Sequence, residues 1–179
     1  MWALLRILKT LPLKYGIFTG SAAVSWKLAE YYLNLNVNTI GAWAGFIPYF
    51  VLLIGVFIGI LTQRLNKKSG AGLLDFKQGA RTGVVISLVT GIILAIFGFV
   101  YCRFINPEFL EQYLAMTKDL MLKDKQPAEI IEKEMQMIKD SASLGRLMFR
   151  SFTTSLFIGM LGSFIFAAIL KKEAKETAD

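Results

Sequence analysis

An all-α integral membrane fold, with four transmembrane helices and an amphipathic helical hairpin between the third and the fourth, is predicted by three observations. Twenty-one residues between Arg81 and Arg103, Thr82 to Cys102, carry neither a charge nor a proline, and about twenty apolar helical residues match the ~30 Å hydrocarbon core of a bilayer. The chain of 179 residues is 55 % hydrophobic and only 18 % charged, with a mean hydropathy of +0.53, which is too apolar for an ordinary soluble domain. Most of the lysines and arginines behind the net charge of +7 sit at the ends of apolar runs. Membrane topology accounts for them there, and nucleic-acid binding, which clusters basic residues with aromatics on a soluble face, is not expected.

Residues 1–179 read as a single membrane domain. Met1 to Leu13 carries Arg6 and Lys9 among leucines, and Lys14 precedes the run from Tyr15 to Leu33, the first span (about 15–34). A cleaved signal peptide is the rival reading. Lys9 and Lys14 interrupt what would be its apolar region and no small-residue cleavage site follows, so the N-terminus is expected to stay attached. Asn34 to Thr39 is short, polar and uncharged, a loop. Trp43 to Thr62 makes the second span (about 43–63), ended by Gln63 and Arg64, with Pro48 near its start, where a proline is best tolerated.

The connection from Arg64 to Arg81 contains Lys67, Lys68 and Lys77. Its Gly70-Ala71-Gly72 lacks the Lys-Ser/Thr ending and flanking strand of a phosphate loop and is read as a turn. Asp75 precedes Gln78 by three residues, the spacing of a capping box that starts the third helix, whose span covers about 82–103. Asn106-Pro107-Glu108 then sets an N-cap, a proline at the first helical position and an acid in the first turn. A new helix follows in which Phe109, Tyr113, Met116 and Leu120 recur at three or four, widened by Leu110, Leu114 and Met121. Lys123 to Pro127 breaks the pattern. Ala128 to Ala142 resumes it with Ile131, Met135, Ile138 and Ala142 on one face, giving a helical hairpin over about 106–143. The last span, about 150–170, lies between Arg150 and Lys171-Lys172.

Orientation follows from the basic residues. Arg6, Lys9 and Lys14, then Arg64, Lys67, Lys68, Lys77 and Arg81, then Lys171, Lys172 and Lys175 share one side of a four-span protein, while acids and bases balance between Arg103 and Arg150. By the positive-inside rule both termini are cytoplasmic and the hairpin faces out.

The order of spans, the entry to the third span (Phe76, Ala80, Gly83), the run Phe104-Ile105-Asn106-Pro107-Glu108-Phe109 and the charged, Met-bearing helical segment before the last span resemble the bacterial membrane family catalogued as domain of unknown function forty-one ninety-nine. The resemblance covers nearly the whole chain and implies a small four-helix inner-membrane protein of Gram-negative bacteria with no assigned activity. It supplies no catalytic residues.

Functional residues are sparse. With no histidine and one cysteine, His-ligated metals, Ser-His or Cys-His nucleophile pairs and intrachain disulfides are excluded by count, and Cys102 is read as a packing residue. No catalytic, cofactor-binding or metal-binding residue is expected, and the protein is read as a non-enzyme. Met116, Met121, Met135 and Met137 are adaptable filling on amphipathic faces, since Cu(I) sites of thioethers call for a repeated array or a histidine. Small residues four apart (Gly16 and Gly20, Gly41 and Gly45, Gly55 and Gly59, Gly79 and Gly83, and Ser155, Gly159, Ser163, Ala167) allow close helix contact, either within the monomer or along a homo-oligomer seam.

Two candidate sites remain. Lys27 and Glu30 share a face inside the first span, where charges are costly. Glu30 is expected to pair with Arg150 or Arg103 at the outer mouth of the bundle, and the Lys27, Glu30, Arg103, Arg150 cluster is either a structural ion group or the polar site of a small transporter or channel subunit. The second candidate is the hairpin face of Phe109, Tyr113, Met116, Leu120, Ile131, Met135 and Ile138, an interaction element for a membrane or periplasmic partner. The leading expectation is a structural or partner-binding component acting through this hairpin, its other partners being the bilayer itself and anionic lipid headgroups at the basic, cytoplasmic face.

Overall fold

The computed structural model describes residues 11–33, 35, 44–65, 74–141 and 143–171. Arg6, Lys9, most of the first loop, Gly41, Trp43, Lys67, Lys68, Gly70-Ala71-Gly72, Ala142, Lys172 and Lys175 lie outside them. The described residues are helical and contain no β-strand: α1 (Leu11–Tyr32), α2 (Ile47–Leu65), α3 (Phe76–Val100), α4 (Phe109–Lys123), α5 (Ala128–Ser141) and α6 (Leu144–Leu170). Three are long and apolar enough to cross a membrane: α2, α3 with the π turn that extends it to Ile105, and α6 from Gly145. At ~1.5 Å per residue the 30 residues of the second of these rise ~45 Å, more than a bilayer core. α1 carries Lys14, Lys27 and Glu30 in its 22 residues and is not among the three.

α1, α2, α3 and α6 form a bundle, and the small residues dictate who meets whom. A β-carbon added at Gly16 would lie 2.7 Å from Cβ of Val89, and one at Gly20 3.1 Å from Cβ of Ile93, so α1 and α3 run parallel. One at Gly83 would lie 2.6 Å from Cβ of Ser163, and Gly79 meets Ala167 while Gly91 meets Phe152, so α3 and α6 are antiparallel. Gly55 against Thr19 and Gly59 against Tyr15 set α1 antiparallel to α2. The chain thus alternates direction from helix to helix. α3 packs against α1, α2 and α6, and α2 also touches both α1 and α6, leaving α1 and α6 on opposite corners. The small residues Gly16, Gly20, Gly55, Gly59, Gly79, Gly83 and Gly159 meet neighbouring helices inside the monomer.

The centre is filled by Leu52, Val56, Ile60 and Ile86, all fully buried. Hydroxyls are tied down between them: Thr90 Oγ1 donates to the Gly16 carbonyl at 3.1 Å, and Ser87 and Ser163 donate back to the carbonyls of Gly83 and Gly159. Thr19 Oγ1 and Ser155 Oγ are buried without a partner among the described residues. Outward-facing Phe18, Phe50, Phe157 and Ile169 are each more than 60 % exposed. Such an apolar exterior is unusual in a soluble monomer and suits hydrocarbon.

Two caps differ from expectation. Asp75 holds the N-cap position of α3, but its side chain makes no capping hydrogen bond. Asn106 does not cap α4, which begins at Phe109 after a turn through Pro107 and Glu108. Residues Tyr101–Ile105 adopt a π turn closed by Asn106 N–H donating to the Tyr101 carbonyl at 2.7 Å, and this turn draws Asn106 into the structure, where it is buried.

Candidate functional site

Hydrogen bonds put the charged residues in register at the two ends of the bundle. Tyr15 and Thr62 share a hydroxyl bond of 2.9 Å, and Thr82 donates to the Gln63 amide oxygen. Lys14, Arg64 and Arg81, each next in sequence to one of these residues, therefore lie at one end, joined by Lys77 a turn away and by Lys171 at the end of α6. The opposite end holds the close of α1, the start of α2, the π turn and the start of α6, where Trp26 Nε1 donates to the Ala44 carbonyl at 3.2 Å.

At that second end, Lys27 Nζ contacts Glu30 Oε2 at 2.8 Å. The carboxylate side chain is 3 % exposed and the lysine 34 %, so the acid is enclosed while the ammonium reaches outward. Their spacing of three puts them on adjacent turns of one helix face, and the lysine's long stem spans the gap. Arg103 and Arg150 share this end of the bundle but make no ion pair with Glu30 among the described residues, contrary to the expected pairing. The reason is the helix arrangement. Arg150 lies in the second turn of α6, diagonal to α1, and is exposed, as is Arg103 on the π turn.

Tyr31, next in sequence to Glu30, opens an aromatic junction that hydropathy and periodicity do not disclose. Tyr31 meets Tyr101 edge-on at 5.8 Å between centroids, Tyr101 meets Phe109 at 5.6 Å, and Phe109 stacks on Tyr113 at 6.3 Å. Asn106 Nδ2 donates to Tyr101 Oη at 3.3 Å and to Gln112 Oε1 at 3.1 Å. These contacts carry the chain from α1 across the end of α3 into α4. Asn-Pro after an apolar run was the available signal, and it reads more readily as a cap than as a buried link.

α4 and α5 stand apart from the bundle core. α4 has no buried residue and α5 buries Ile131. Their connection is a Schellman closure: Gln126 N–H donates to the Met121 carbonyl and Lys125 N–H to that of Leu122, with Lys125 at φ 55°, a left-handed position usually given to glycine. The expected interaction face is divided. Phe109 turns to Tyr101 with Tyr113 stacked on it, Met116 and Ile138 are half-buried, and Leu120 is exposed. Ile131 and Met135 line an open groove of about 770 Å³ between the two helices, together with Leu114 and Ala115, under a rim of Glu111, Lys118, Glu132 and Lys139. The rim charges were not among the expected residues. Their signal is a glutamate followed seven positions later by a lysine in both helices. Among the described residues no group of His, Cys, Asp or Glu gathers for a metal ion.

A family model described as Protein of unknown function (DUF4199) matches residues 14–172. No curated protein and no solved structure matches the chain.

Proposed function

The chain belongs to the DUF4199 family of proteins of unknown function, and from that premise we propose that it is a non-enzymatic, partner-binding protein of the bacterial inner membrane. Four spans anchor it, and the α4–α5 pair, a helical hairpin outside the bilayer, is its binding element. The observation that carries this reading is the groove between α4 and α5, which leaves Ala115 exposed and Leu114 and Met135 half-exposed over buried Ile131 under a charged rim.

The fourth span is α1. It lies in the bundle parallel to α3, and its two deepest charges neutralise each other at 2.8 Å, which lowers the cost of carrying them into lipid. Lys14, Lys77, Arg81 and Lys171 are exposed at the end of the bundle away from α4 and α5. The positive-inside rule then puts that end, with both termini, in the cytoplasm and the hairpin outside, where the basic end meets anionic lipid headgroups. A transporter or channel subunit working through Lys27 and Glu30 would need a path past Leu52, Val56, Ile60 and Ile86, and the absence of exposure at these residues favours an anchor over a conduit.

The test combines topology with capture. In a Cys102→Ser background, cysteines at Lys125 and Lys68 are expected to label from opposite faces of the membrane, and labelling of both from outside removes the four-span reading. A photo-cross-linking residue at Ala115 or Met135 is expected to give a discrete protein adduct in native membranes that the same residue at Phe18, on the bundle exterior, does not. No adduct from the groove, with the labelling as expected, rejects partner binding.

A further inference from the structure

We infer that the partner in the α4–α5 groove is a second copy of this chain, docked groove to groove about a two-fold axis so that α4 lies antiparallel to α4 and α5 antiparallel to α5 of the other copy. This rests on the reading of the helix pair as the binding element and names its partner.

Charge complementarity fixed by spacing selects this partner. Glu111 precedes Lys118 by seven residues on α4, Glu132 precedes Lys139 by seven on α5, and all four line the same groove. Seven residues are close to two helical turns, so on each helix acid and base sit on one face about 10 Å apart. A four-residue turn makes the helices antiparallel, so opposite charges face each other over the groove, yet none of the four is in an ion pair among the described residues. They are available to a ligand that presents acid to base and base to acid at the same separation.

A second copy does this without any adjustment. Reversing α4 about a point between Leu114 and Ala115 brings Glu111 to Lys118 and Lys118 to Glu111, and reversing α5 about a point between Met135 and Gln136 does the same for Glu132 and Lys139. Both points lie at the middle of the groove floor, so one axis serves both helices. This is the self-matching that an isologous interface requires. Two such pairs stacked face to face make a four-helix bundle whose interior is Leu114, Ala115, Ile131 and Met135 from each copy. Exposed ion pairs add little affinity but fix register and direction. Two copies in one membrane are related by an axis along its normal, which reverses only directions in the membrane plane. The arrangement therefore has α4 and α5 running along the surface.

The experiment uses the full chain with Cys102→Ser in native membranes under mild oxidation. Ala115→Cys, beside the axis, is expected to form a homodimeric disulfide. Glu111→Cys and Lys118→Cys are expected to cross-link to each other when co-expressed and neither to itself. The pair Glu111→Lys with Glu132→Lys, and the pair Lys118→Glu with Lys139→Glu, placed on the Ala115→Cys chain, are each expected to abolish the cross-link, and co-expression of the two is expected to restore it. All four rim residues are exposed, and unchanged thermal stability of each variant in detergent shows that the fold is kept. No disulfide from Ala115→Cys, or one that persists in both charge-reversed chains, overturns the inference. If Ala115 instead captures a different protein, the two-fold pairing is wrong while partner binding stands. If cysteines at Lys125 and Lys68 label from the same side, both readings fall.

Discussion

Gly83 of α3 and Ser163 of α6 approach so closely that a methyl group on the glycine would sit 2.6 Å from the serine Cβ. Membrane helices gain little from burying apolar surface against each other, because lipid is equally apolar, so approach distance and dispersion contact set their association. Gly83→Ala is expected to destabilise the detergent-solubilised protein by ~1–3 kcal/mol, the usual cost of overpacking. Gly98→Ala has open space around it and is expected to stabilise by up to ~1 kcal/mol through helix propensity. Thermal melts of the two variants side by side check the contrast, and equal shifts would contradict the close-packing account.

The Lys27–Glu30 pair makes a second prediction. Removing one partner of an enclosed ion pair leaves a charge without compensation, whereas removing both can be nearly neutral. With the lysine 34 % exposed, Glu30→Gln is expected to cost ~1–3 kcal/mol, below the range for a fully buried pair, and Lys27→Met with Glu30→Gln is expected to recover most of it. Neutralising Arg103 or Arg150 in the Glu30→Gln background is expected to be additive, within ~0.5 kcal/mol. Coupling to either arginine in a double-mutant cycle would restore the pairing that the structure replaces.

The contrast between those two partners shows what the sequence could and could not convey. Three helices long and apolar enough to cross a membrane are legible in runs such as Thr82 to Cys102, because hydropathy is a property of the segment itself. That Glu30 and Arg150 occupy the same end follows from counting spans. Which neighbour each helix takes does not, and it is decided by contacts such as Gly16 with Val89 and Gly55 with Thr19 that put α1 and α6 on opposite corners. Lys27 with Glu30 needed only a spacing of three. Asn106 was misread because Asn-Pro-Glu is a sound cap signature, and only the π turn before it explains why the side chain faces Tyr101 and Gln112. The groove rim is not legible in apolar positions, because it consists of a glutamate and a lysine seven residues apart in each helix.

Buried hydroxyls supply a third prediction. Thr19 Oγ1 has no partner among the described residues, whereas Thr82 donates to Gln63. Thr19→Val keeps the shape and removes an unsatisfied group, so it is expected to be neutral or stabilising by up to ~1 kcal/mol, and Thr82→Val is expected to destabilise by ~1 kcal/mol through loss of its bond. A loss of stability in Thr19→Val would reveal a partner for its hydroxyl. Melting temperatures of both variants decide.

The helix connection gives a fourth. Lys125 sits at φ 55°, which costs an L-residue with a side chain about 1–2 kcal/mol. Lys125→Gly is expected to relieve that strain and slow amide exchange across Leu120 to Ile131, measured by hydrogen–deuterium exchange. Faster exchange there would argue against the Schellman closure.

A fifth prediction concerns the link between the bundle and α4. Asn106→Ala removes bonds of 3.3 Å to Tyr101 and 3.1 Å to Gln112, and is expected to raise amide exchange through α4 while leaving α2 and α6 unchanged. Uniform protection in α4 would show that the aromatic contacts alone hold it.

The π turn at Tyr101–Ile105 also has a rotational meaning. Bonds reaching five residues back instead of four accommodate one extra residue in the turn, and each α-helical residue winds ~100° about the axis. The azimuth at which α4 departs is thus a matter of chain count. Deleting one residue within 102–105 would let the helix close as α with the chain beyond it nearly in place, whereas deleting one from the regular helix before Tyr101, the π turn kept, would swing everything beyond by roughly 100°, carrying Tyr101 off Tyr31 and aiming the groove along a different bearing. The bearing of the groove is a phase stored in backbone winding, separable from every side chain that lines it.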